Sequence, residues 1–236
     1  MKDQKEFDSI HKNVTEGILL VDKSKGKTSF QLVHLLRKKL GVKKIGHAGT
    51  LDPFATGVMV MLIGRNYTKL SDQFLTSNKE YIAQLFFGKT TDTFDIEGKE
   101  TGNSSQIPSL SEVLNVLEKF QGEIDQIPPM YSAKKVQGKK LYELARNGIE
   151  IERKAVKVRV EIEFIRYEYP LLEIRVACSK GTYIRSLGHD IGQMLGCGAH
   201  LTSLRRTQSG SFKIDDCLTE EKLNDPSIDL TDHIMK

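Results

Sequence analysis

The 236-residue sequence has little of what marks exported, membrane-spanning or metal-binding proteins. No apolar run approaches the roughly 20 residues of a membrane span, and the first residues lack the apolar stretch of a secretion signal. The three cysteines are an odd number and form no Cys-x-x-Cys pair, which argues against a disulfide framework and a cysteine-based zinc site. These absences predict a folded cytoplasmic protein without a metal.

Several signatures of nucleotide and hydrolase chemistry are also missing. Gly-Lys-Thr occurs twice, but the first glycine that a phosphate-binding loop requires is Val21 in one case and Ala83 in the other. Gly-x-Ser-x-Gly and His-Glu-x-x-His do not occur, and Cys197 and His200 have no second pair of ligands at metal spacing. Nucleotide hydrolysis at a Gly-Lys-Thr turn therefore stays only as a weak alternative.

Charge is present but unevenly placed, although the total is only +4. Residues 23–69 hold ten basic side chains and one acidic one, a net +9, and residues 130–206 hold fifteen and eight, a net +7. Acidic segments separate and follow these two. If the fold joins the basic segments, they form a positive face suited to a phosphodiester backbone. Ordinary solvated surface is the alternative interpretation of the same lysines.

Apolar periodicity predicts both strands and helices. Strands are predicted over residues 17–22, 58–63, 80–87, 156–162, 172–178 and 200–206. Helices are predicted over residues 29–40, 110–120 and 183–195. We expect Phe30 and Leu114 on the buried faces of the first two helices, and a loop over residues 45–56, which glycine and proline punctuate. Strands joined by both short turns and helices indicate a mixed α/β sheet.

One carboxylate stands out in the first basic segment. Asp52 is the only acid between Lys23 and Lys69, and it lies in the run Gly46-His-Ala-Gly-Thr-Leu-Asp-Pro-Phe-Ala-Thr-Gly57. An aspartate before proline is commonly a turn residue whose side chain bonds nearby backbone amides. An ionised carboxylate near arginines can instead attack a sugar carbon or stabilise positive charge there. The residues alone leave both interpretations open.

This run, with further blocks in the same order, resembles the TruB-type tRNA pseudouridine synthases, and the resemblance extends over nearly the whole chain. The other blocks are Gly17-Ile-Leu-Leu-Val-Asp-Lys23, Lys79-Glu-Tyr81, Pro129-Met-Tyr-Ser-Ala-Lys-Lys135, Gly138-Lys-Lys-Leu-Tyr-Glu143, Ser179-Lys-Gly-Thr-Tyr-Ile-Arg185 and Gly196-Cys-Gly-Ala-His-Leu-Thr-Ser-Leu-Arg-Arg-Thr207. The resemblance implies the pseudouridine synthase fold, a mixed and largely antiparallel central sheet flanked by helices, with an RNA-binding cleft.

The resemblance also implies a reaction, the isomerisation of uridine-55 in the T-loop of tRNA to pseudouridine. The base flips out, its N1–C1′ bond is cut, and a C5–C1′ bond forms, with no cofactor or metal. Asp52 is implied as the catalytic carboxylate, either adding to C1′ or assisting glycal formation. Substrate-binding positions are implied for Lys23, His47, Tyr81, Tyr183, Arg185 and Leu204. The family further implies a monomer that binds the T stem-loop without a membrane or an obligate protein partner.

Some of these roles differ from what the residues alone indicate. Without the resemblance, Tyr81 is a packing residue of a strand, and Arg185 is a helix residue in a surface ion pair. With it, Tyr81 stacks on the target base and Arg185 pairs with Asp52, keeping the acid ionised and aimed. Contacts to backbone phosphates are expected from the basic helix and the lysine-rich segments, namely Lys38, Lys43, Lys44, Lys134, Lys135, Lys139 and Lys140.

The chain departs from the family pattern in two places. Ser24 stands where many members have proline, which weakens the inference about Lys23. Only 30 residues follow Arg206, too few for the PUA-type RNA-binding domain of longer members. We therefore expect a polar extension over residues 1–16, a catalytic domain over 17–212 and a short acidic tail over 213–236. The alternative function is a tRNA-binding or folding factor that uses the same basic cleft without chemistry.

Overall fold

Strands dominate the computed structural model, which describes residues 16–136 and 138–236. They are β1 (Gly17–Lys23), β2 (Ile45–Ala48), β3 (Thr56–Ile63), β4 (Lys79–Phe87), β5 (Lys89–Thr91), β6 (Glu100–Asn103), β7 (Gly122–Gln126), β8 (Lys135–Val136), β9 (Lys139–Lys140), β10 (Val156–Glu168), β11 (Leu171–Cys178), β12 (Ala199–Ser209) and β13 (Phe212–Lys213). The polar extension predicted over residues 1–16 lies outside the described residues, apart from Glu16.

Helices connect these strands. They are α1 (Ser29–Leu40), α2 (Gly64–Thr68), α3 (Ser71–Leu75), α4 (Leu110–Lys119), α5 (Leu141–Arg146), α6 (Ile184–Met194) and α7 (Glu220–Asn224), with short 3-10 helices at Ile214–Asp216 and Leu230–His233. In the part of the chain that the structure describes, no helix is both long and apolar enough to cross a bilayer.

One large sheet organises the described residues. Its strand order is β1-β3-β12-β4-β11-β10-β7, with β2 also paired to β3 and β13 to β12. All of these pairs are antiparallel except β12 with β3, where Arg205 and Arg206 pair with Thr56 and Gly57. Strands β5–β6 and β8–β9 form two separate two-stranded sheets. The prediction of a mixed, largely antiparallel sheet flanked by helices is confirmed.

The parallel junction between β3 and β12 requires a glycine. Gly57 has a φ of +108°, and a Cβ atom built on it would lie 2.1 Å from the carbonyl oxygen of Arg206. A side chain at this position would therefore collide with the neighbouring strand and strain the backbone. This close approach brings the end of the Asp52 loop against the strand that carries Arg206.

The continuous apolar run of β3 is explained by burial on both faces of the sheet. Met59, Met61 and Ile63 belong to the larger apolar cluster, which includes buried residues of α1 and α6. Val58 and Leu62 belong to a second cluster, against which residues of α2 and α3 pack. A strand with no solvent-facing side is typically an uninterrupted apolar segment in the sequence. The buried strand predicted here is confirmed.

Helix α1 begins and ends at the predicted residues, but its buried face differs. Thr28 and Gln31 form a capping box at the start, and Gly41 adopts a left-handed conformation with a φ of +67° at the end. The prediction that Phe30 is buried is wrong, because its side chain is 63% exposed. Ser29 points inward instead, and its hydroxyl bonds the backbone of Leu51. The buried face of the helix is therefore shifted by one position from the predicted one.

Three further differences from the sequence predictions are local. Residues 45–48 form β2 rather than a loop, because they pair with residues 60–63 of β3. Leu114 is 42% exposed, and Val116 takes the inward position on α4. Strand β7, like the short strands β5, β6, β8, β9 and β13, was not predicted; in β7 only Gln126 is fully buried, so the strand carries little apolar signal.

Residues 213–236, the predicted acidic tail, lie against the outer edge of β1. The backbones of Ile18 and Met235 exchange hydrogen bonds of 2.8 and 2.9 Å, and Leu218 donates to the carbonyl of Leu20 at 3.0 Å. Leu223 and Leu230 are buried in the main apolar cluster. This segment therefore contributes to the core, while the domain boundary at residue 212 stays a prediction.

Candidate active site

A cleft of about 520 Å³ opens between the Asp52 loop, strands β4 and β12, and the start of α6. Of the predicted site residues, it contains Asp52, Tyr81, Lys134, Tyr183, Arg185 and Leu204. The full lining is Gly49, Thr50, Leu51, Asp52, Leu75, Lys79, Tyr81, Pro128, Ser132, Ala133, Lys134, Val156, Cys178, Ser179, Gly181, Thr182, Tyr183, Ile184, Arg185, Leu204 and Arg206. His47 and Lys23 are outside this lining.

The loop that carries Asp52 is held from α1. The hydroxyl of Ser29 accepts a hydrogen bond from the amide of Leu51 at 3.1 Å and donates to its carbonyl at 3.3 Å. Both groups are buried, so the bonds satisfy a donor and an acceptor that would otherwise be lost to solvent. The position before Asp52 is thereby fixed to the first turn of the helix.

The side chain of Lys23 also holds the Asp52 loop in place. Its side chain is fully buried, and its ammonium donates to the carbonyls of Ser24 (3.1 Å), Lys27 (2.6 Å) and Pro53 (3.2 Å). Burial lowers the pKa of Lys23 to about 8, against the opposing effect of the Asp52 charge. In this structure the Lys23 side chain therefore holds the Asp52 loop, and its role in substrate binding stays a prediction.

The side chains of Asp52 and Arg185 form a two-point ion pair at the floor of the cleft. Nε of Arg185 lies 2.8 Å from Oδ2 of Asp52, and Nη2 donates to Oδ1 at 3.4 Å. The Arg185 side chain is 5% exposed, whereas that of Asp52 is 35% exposed. The pair implied by the resemblance is thus present, with the carboxylate rather than the guanidinium open to the cleft.

The remaining donors of Arg185 are also bonded. Nη1 donates to the carbonyl of Thr93 at 2.8 Å and lies 3.5 Å from a carboxylate oxygen of Asp95, and Nη2 donates to the carbonyl of Tyr131 at 2.7 Å. The guanidinium is therefore held from three sides. With this many partners, the planar guanidinium is held in one orientation, in which Nε points toward Asp52.

Asp95 is a buried carboxylate that the sequence did not single out. It accepts hydrogen bonds from the hydroxyl of Thr93 (2.7 Å) and the amide of Glu97 (3.0 Å). Burial raises the pKa of Asp95, while these bonds and Arg185 act in the opposite direction. In the sequence it is one of several acids in a polar loop, and only its contact with Arg185, 90 positions away, distinguishes it.

The start of α6 is fixed by side-chain-to-backbone hydrogen bonds with the end of β7 and the residue after it. The side-chain amide of Gln126 accepts from the amide of Tyr183 at 2.7 Å and donates to its carbonyl at 3.1 Å. The hydroxyl of Ser186 donates to the carbonyl of Ile127 at 3.0 Å. Tyr183 and Arg185 therefore enter the cleft from a helix terminus that cannot rotate freely.

Tyr81 and Leu204 line the cleft from the central sheet. Tyr81 of β4 is paired in register with Arg206 of β12, and Leu204 with Ala83. Burial raises the pKa of the Tyr81 phenol, with the charge of Arg206 opposing the rise, so the hydroxyl stays protonated at neutral pH. The tyrosine is 9% exposed and has its small accessible area on the cleft.

Arg206 is a second residue that the sequence analysis missed. It is 1% exposed, and its Nε donates to the carbonyl of Val58 at 2.8 Å. A bulge between Leu201 and Ser203 shifts the alternation of β12, so that Leu204 and Arg206 share the cleft side. A regular strand would have placed these two side chains on the face opposite Leu201.

The other predicted residues lie outside the cleft lining. His47 is half-buried on β2, burial lowers its pKa, and its Nδ1 atom has no hydrogen-bond partner among the described residues. The predicted phosphate contacts form two groups besides Lys134, one at the end of α1 and the following turn, the other on β8 and β9. These lysines are Lys38, Lys43, Lys44, Lys135, Lys139 and Lys140. Within residues 16–136 and 138–236, no three His, Cys, Asp or Glu side chains are grouped to ligate a metal ion.

Comparison with known proteins gives matches over nearly the whole chain. The family described as TruB family pseudouridylate synthase (N-terminal domain) matches residues 37–184, and the tRNA pseudouridylate synthase B C-terminal domain matches residues 185–234. A tRNA pseudouridine synthase B of Protochlamydia amoebophila is 61% identical, covering 89% of this chain and 80% of that protein. One of Chlamydia pneumoniae is 60% identical and covers 93% of both.

Solved structures agree in fold. A chain in the crystal structure of a Cbf5-Nop10-Gar1 complex superposes with a TM-score of 0.69 at 31% identity, covering 89% of this chain and 54% of that one. A chain in the structure of an H/ACA RNP bound to a substrate RNA containing 2′-deoxyuridine gives 0.65 at 29% identity, with 89% and 52% coverage. The chain thus spans about half the length of these solved chains. Its fold is that of the pseudouridine synthases, and the chain belongs to the TruB family of pseudouridylate synthases.

Proposed function

We propose that this protein converts uridine-55 in the T-loop of tRNA to pseudouridine and that Asp52 is its catalytic carboxylate. The observation that carries the proposal is the ion pair of Asp52 with Arg185, which holds an acid at the floor of a nucleotide-sized cleft. The names of the relatives that are about 60% identical support tRNA as the substrate.

The reaction requires one ionised carboxylate and no net reagent. The N1–C1′ bond of the uridine breaks, the base turns, and C5 bonds to C1′; C5 loses a proton and N1 gains one, so substrate and product are isomers. Asp52 either adds to C1′ or assists formation of a glycal, and both routes begin from the ionised carboxylate. Its fixed orientation by Arg185 supports the attack geometry that either route needs.

The target nucleotide must leave the stack before Asp52 can reach its sugar. Unstacking costs a few kcal/mol, which contacts inside the cleft offset. Tyr81 offers a ring for stacking, and Tyr183 and Leu204 supply further apolar surface in the lining. The protonated Tyr81 hydroxyl is available as a hydrogen-bond donor. His47, on the strand before the loop, is proposed to act during flipping rather than in the chemical step.

Positive charge around the cleft suits an RNA substrate. The two basic segments of the sequence contribute Asp52 and Arg185 respectively, so the fold brings both segments to the cleft. Lys134 lies in the lining itself, and we propose that the two neighbouring lysine groups contact phosphates beyond the flipped nucleotide. Such contacts give affinity and orientation without reading sequence.

The proposal is tested with unmodified tRNA and carbodiimide mapping of pseudouridine. The wild-type protein should modify position 55, and Asp52→Asn should bind tRNA normally while forming no product. Asp22→Asn is the matched control, because Asp22 makes a similar two-point pair with Arg205 (2.7 and 3.2 Å) outside the cleft lining. It should keep full activity.

Each outcome bears on a different part of the proposal. Product at a position other than 55 refutes the site assignment, and normal turnover by Asp52→Asn refutes the role of that residue. If the wild-type protein binds tRNA but modifies no RNA, the chain is a binding or folding factor that uses the same cleft.

A further inference from the structure

The turn over residues 93–95, which contacts the guanidinium of Arg185, contains an unusual residue. Phe94 lies between Thr93 and Asp95, both of which contact Nη1 of Arg185, and it has a φ of +63°. A bulky side chain is uncommon in this left-handed region and persists only where its surroundings hold it. The carbonyl of Phe94 accepts a hydrogen bond from the amide of Leu201 at 3.0 Å, which ties the turn to β12.

The ring of Phe94 is stacked on a residue of the helix that carries Arg185. The ring centroids of Phe94 and His189 are 3.9 Å apart with an interplanar angle of 15°. His189 lies one helical turn after Arg185, so both side chains leave α6 on neighbouring positions of one face. The stack therefore joins the Arg185 helix to the very turn that orients the Arg185 guanidinium.

Packing rather than hydrogen bonding holds the His189 ring in the described structure. Its Nδ1 atom is buried with no hydrogen-bond partner among the described residues. Burial also lowers the pKa of His189, which favours the neutral ring and makes it a flat partner for a phenyl group. The cleft lining includes neither Phe94 nor His189, so the pair lies outside the cleft.

We propose that the Phe94–His189 stack is a positioning device that sets the orientation of Arg185 and, through it, of Asp52. The inference rests on the proposed function and adds two residues to it. The left-handed backbone at Phe94 turns the Thr93 carbonyl and the Asp95 carboxylate toward Nη1, and the stack fixes their distance from α6. Displacements of about 1 Å at a catalytic group can lower a rate about 100-fold, so this distance matters for the reaction.

A double-mutant cycle on Phe94→Gly and His189→Leu tests the proposal. Glycine adopts a φ of +63° without strain, so Phe94→Gly removes the ring while keeping the backbone turn. Each single variant should lower kcat by about threefold to tenfold, the factor expected for one aromatic pair, with an unchanged Kd for tRNA. The double variant should be no slower than either single one, because both remove the same interaction.

His189→Phe distinguishes the stack from other roles of the histidine. It keeps a ring at the position and should retain the wild-type kcat, and thermal unfolding of all four variants reports whether each is folded. The proposal is overturned if Phe94→Gly or His189→Leu turns over at the wild-type rate, if the two effects multiply in the double variant, or if His189→Phe is as slow as His189→Leu.

A readout independent of catalysis is the hydrogen exchange of the Arg185 Nε–H proton, followed by NMR. This proton is protected by its 2.8 Å contact with Asp52 and should exchange several-fold faster in Phe94→Gly and His189→Leu than in wild type or His189→Phe. If the wild-type protein forms no pseudouridine, the proposed function fails, yet the exchange rates still decide the positioning role. Unchanged exchange in both variants overturns it whatever the activity.

Discussion

Asp52 and Arg185 are 133 positions apart in the chain, yet their side chains meet at 2.8 Å. The pair connects the loop after β2 with the first turn of α6. It also joins the two parts of the chain that match the N-terminal and C-terminal family domains, which meet between residues 184 and 185. Neither matched region contains both residues, so the ion pair forms only when the two regions fold together.

Arg185→Lys should lower kcat strongly, although it keeps the positive charge. A lysine has a single ammonium in place of the planar fork and cannot contact Asp52, Thr93 and Tyr131 together. We expect kcat to fall by about 100-fold or more in single-turnover assays. Arg205→Lys, at the pair with Asp22, serves as control and should stay within about twofold of wild type. Comparable rates for the two variants would contradict the role given to Arg185.

Arg185→Met should also lower stability. It leaves Asp95 buried beside Thr93 and Glu97 but without a cation, and breaking a buried ion pair from one side costs about 3 kcal/mol or more. Urea denaturation of Arg185→Met and of Arg185→Met/Asp95→Asn measures this. The second substitution should restore part of the loss, because it removes the unpaired charge. A double variant that is less stable than the single one would argue against charge as the cause.

Ser29→Ala and Thr28→Ala separate helix capping from loop support. Both residues are at the start of α1, and each substitution should lower the free energy of unfolding by about 1 kcal/mol. Only Ser29 bonds the backbone of Leu51, next to Asp52, so only Ser29→Ala should lower kcat, by about tenfold. Equal kcat values at matched stability would show that the loop does not depend on this contact.

Asp190 should make stability depend on pH. Burial raises its pKa to about 6, so the folded protein favours the protonated form. Its contribution to stability is fully present below the ordinary pKa of about 3.8 and is lost as pH rises through about 6. At pH 7.5, Asp190→Asn should therefore be more stable than wild type by about 1–2 kcal/mol, a range discounted for partial solvent screening.

The Asp190 prediction is checked by denaturation at several pH values. The advantage of Asp190→Asn should shrink below pH 6 and vanish near pH 4. Asp125→Asn, on the same shallow groove beside Phe120 and Met194, is the matched control, and as an exposed residue it should change stability by less than about 0.5 kcal/mol. An advantage of Asp190→Asn that is constant with pH would exclude titration of this carboxyl as its origin.

Salt dependence of tRNA binding tests the proposed phosphate contacts. Lys38→Gln and Lys135→Gln should each weaken binding and reduce the slope of log K against log salt by about 0.7–0.9. Lys157→Gln is the control, because Lys157 is already paired with Glu123 at 2.7 Å on the β7–β10 edge. If none of the three substitutions alters the slope, the RNA binds elsewhere on the surface.

The sequence predicts local structure well where one physical signal dominates. The capped helix 29–40, the doubly buried strand 58–63 and the alternating strand 172–178 follow from capping residues and apolar period, and all three are confirmed. The Asp52–Arg185 pair came from the family resemblance alone, since no local pattern encodes a contact between such distant residues. Apolar alternation through Leu201 did not single out Arg206, because the bulge after Leu201 reverses the faces of β12.

Two side chains lie where their own polarity alone would not place them. Lys23 lies in a strongly basic segment, yet three backbone carbonyls satisfy its ammonium in the interior. Phe30 looks like a core residue at helical spacing, yet the inward position belongs to Ser29 because Leu51 requires a hydrogen-bond partner. In both cases a demand of the Asp52 loop outweighed the side chain's own preference.

The place of β12 in the sheet has a consequence for how the chain folds. This late strand sits between β3 and β4, which belong to the first half of the chain. Until β12 inserts, both early strands expose unpaired edges, which are prone to associate with other chains. Pairing over such large sequence separations is intrinsically slow. We therefore expect the protein to be prone to aggregation during synthesis until residues 199–209 are available to pair, and dilution or a chaperone should raise the refolding yield.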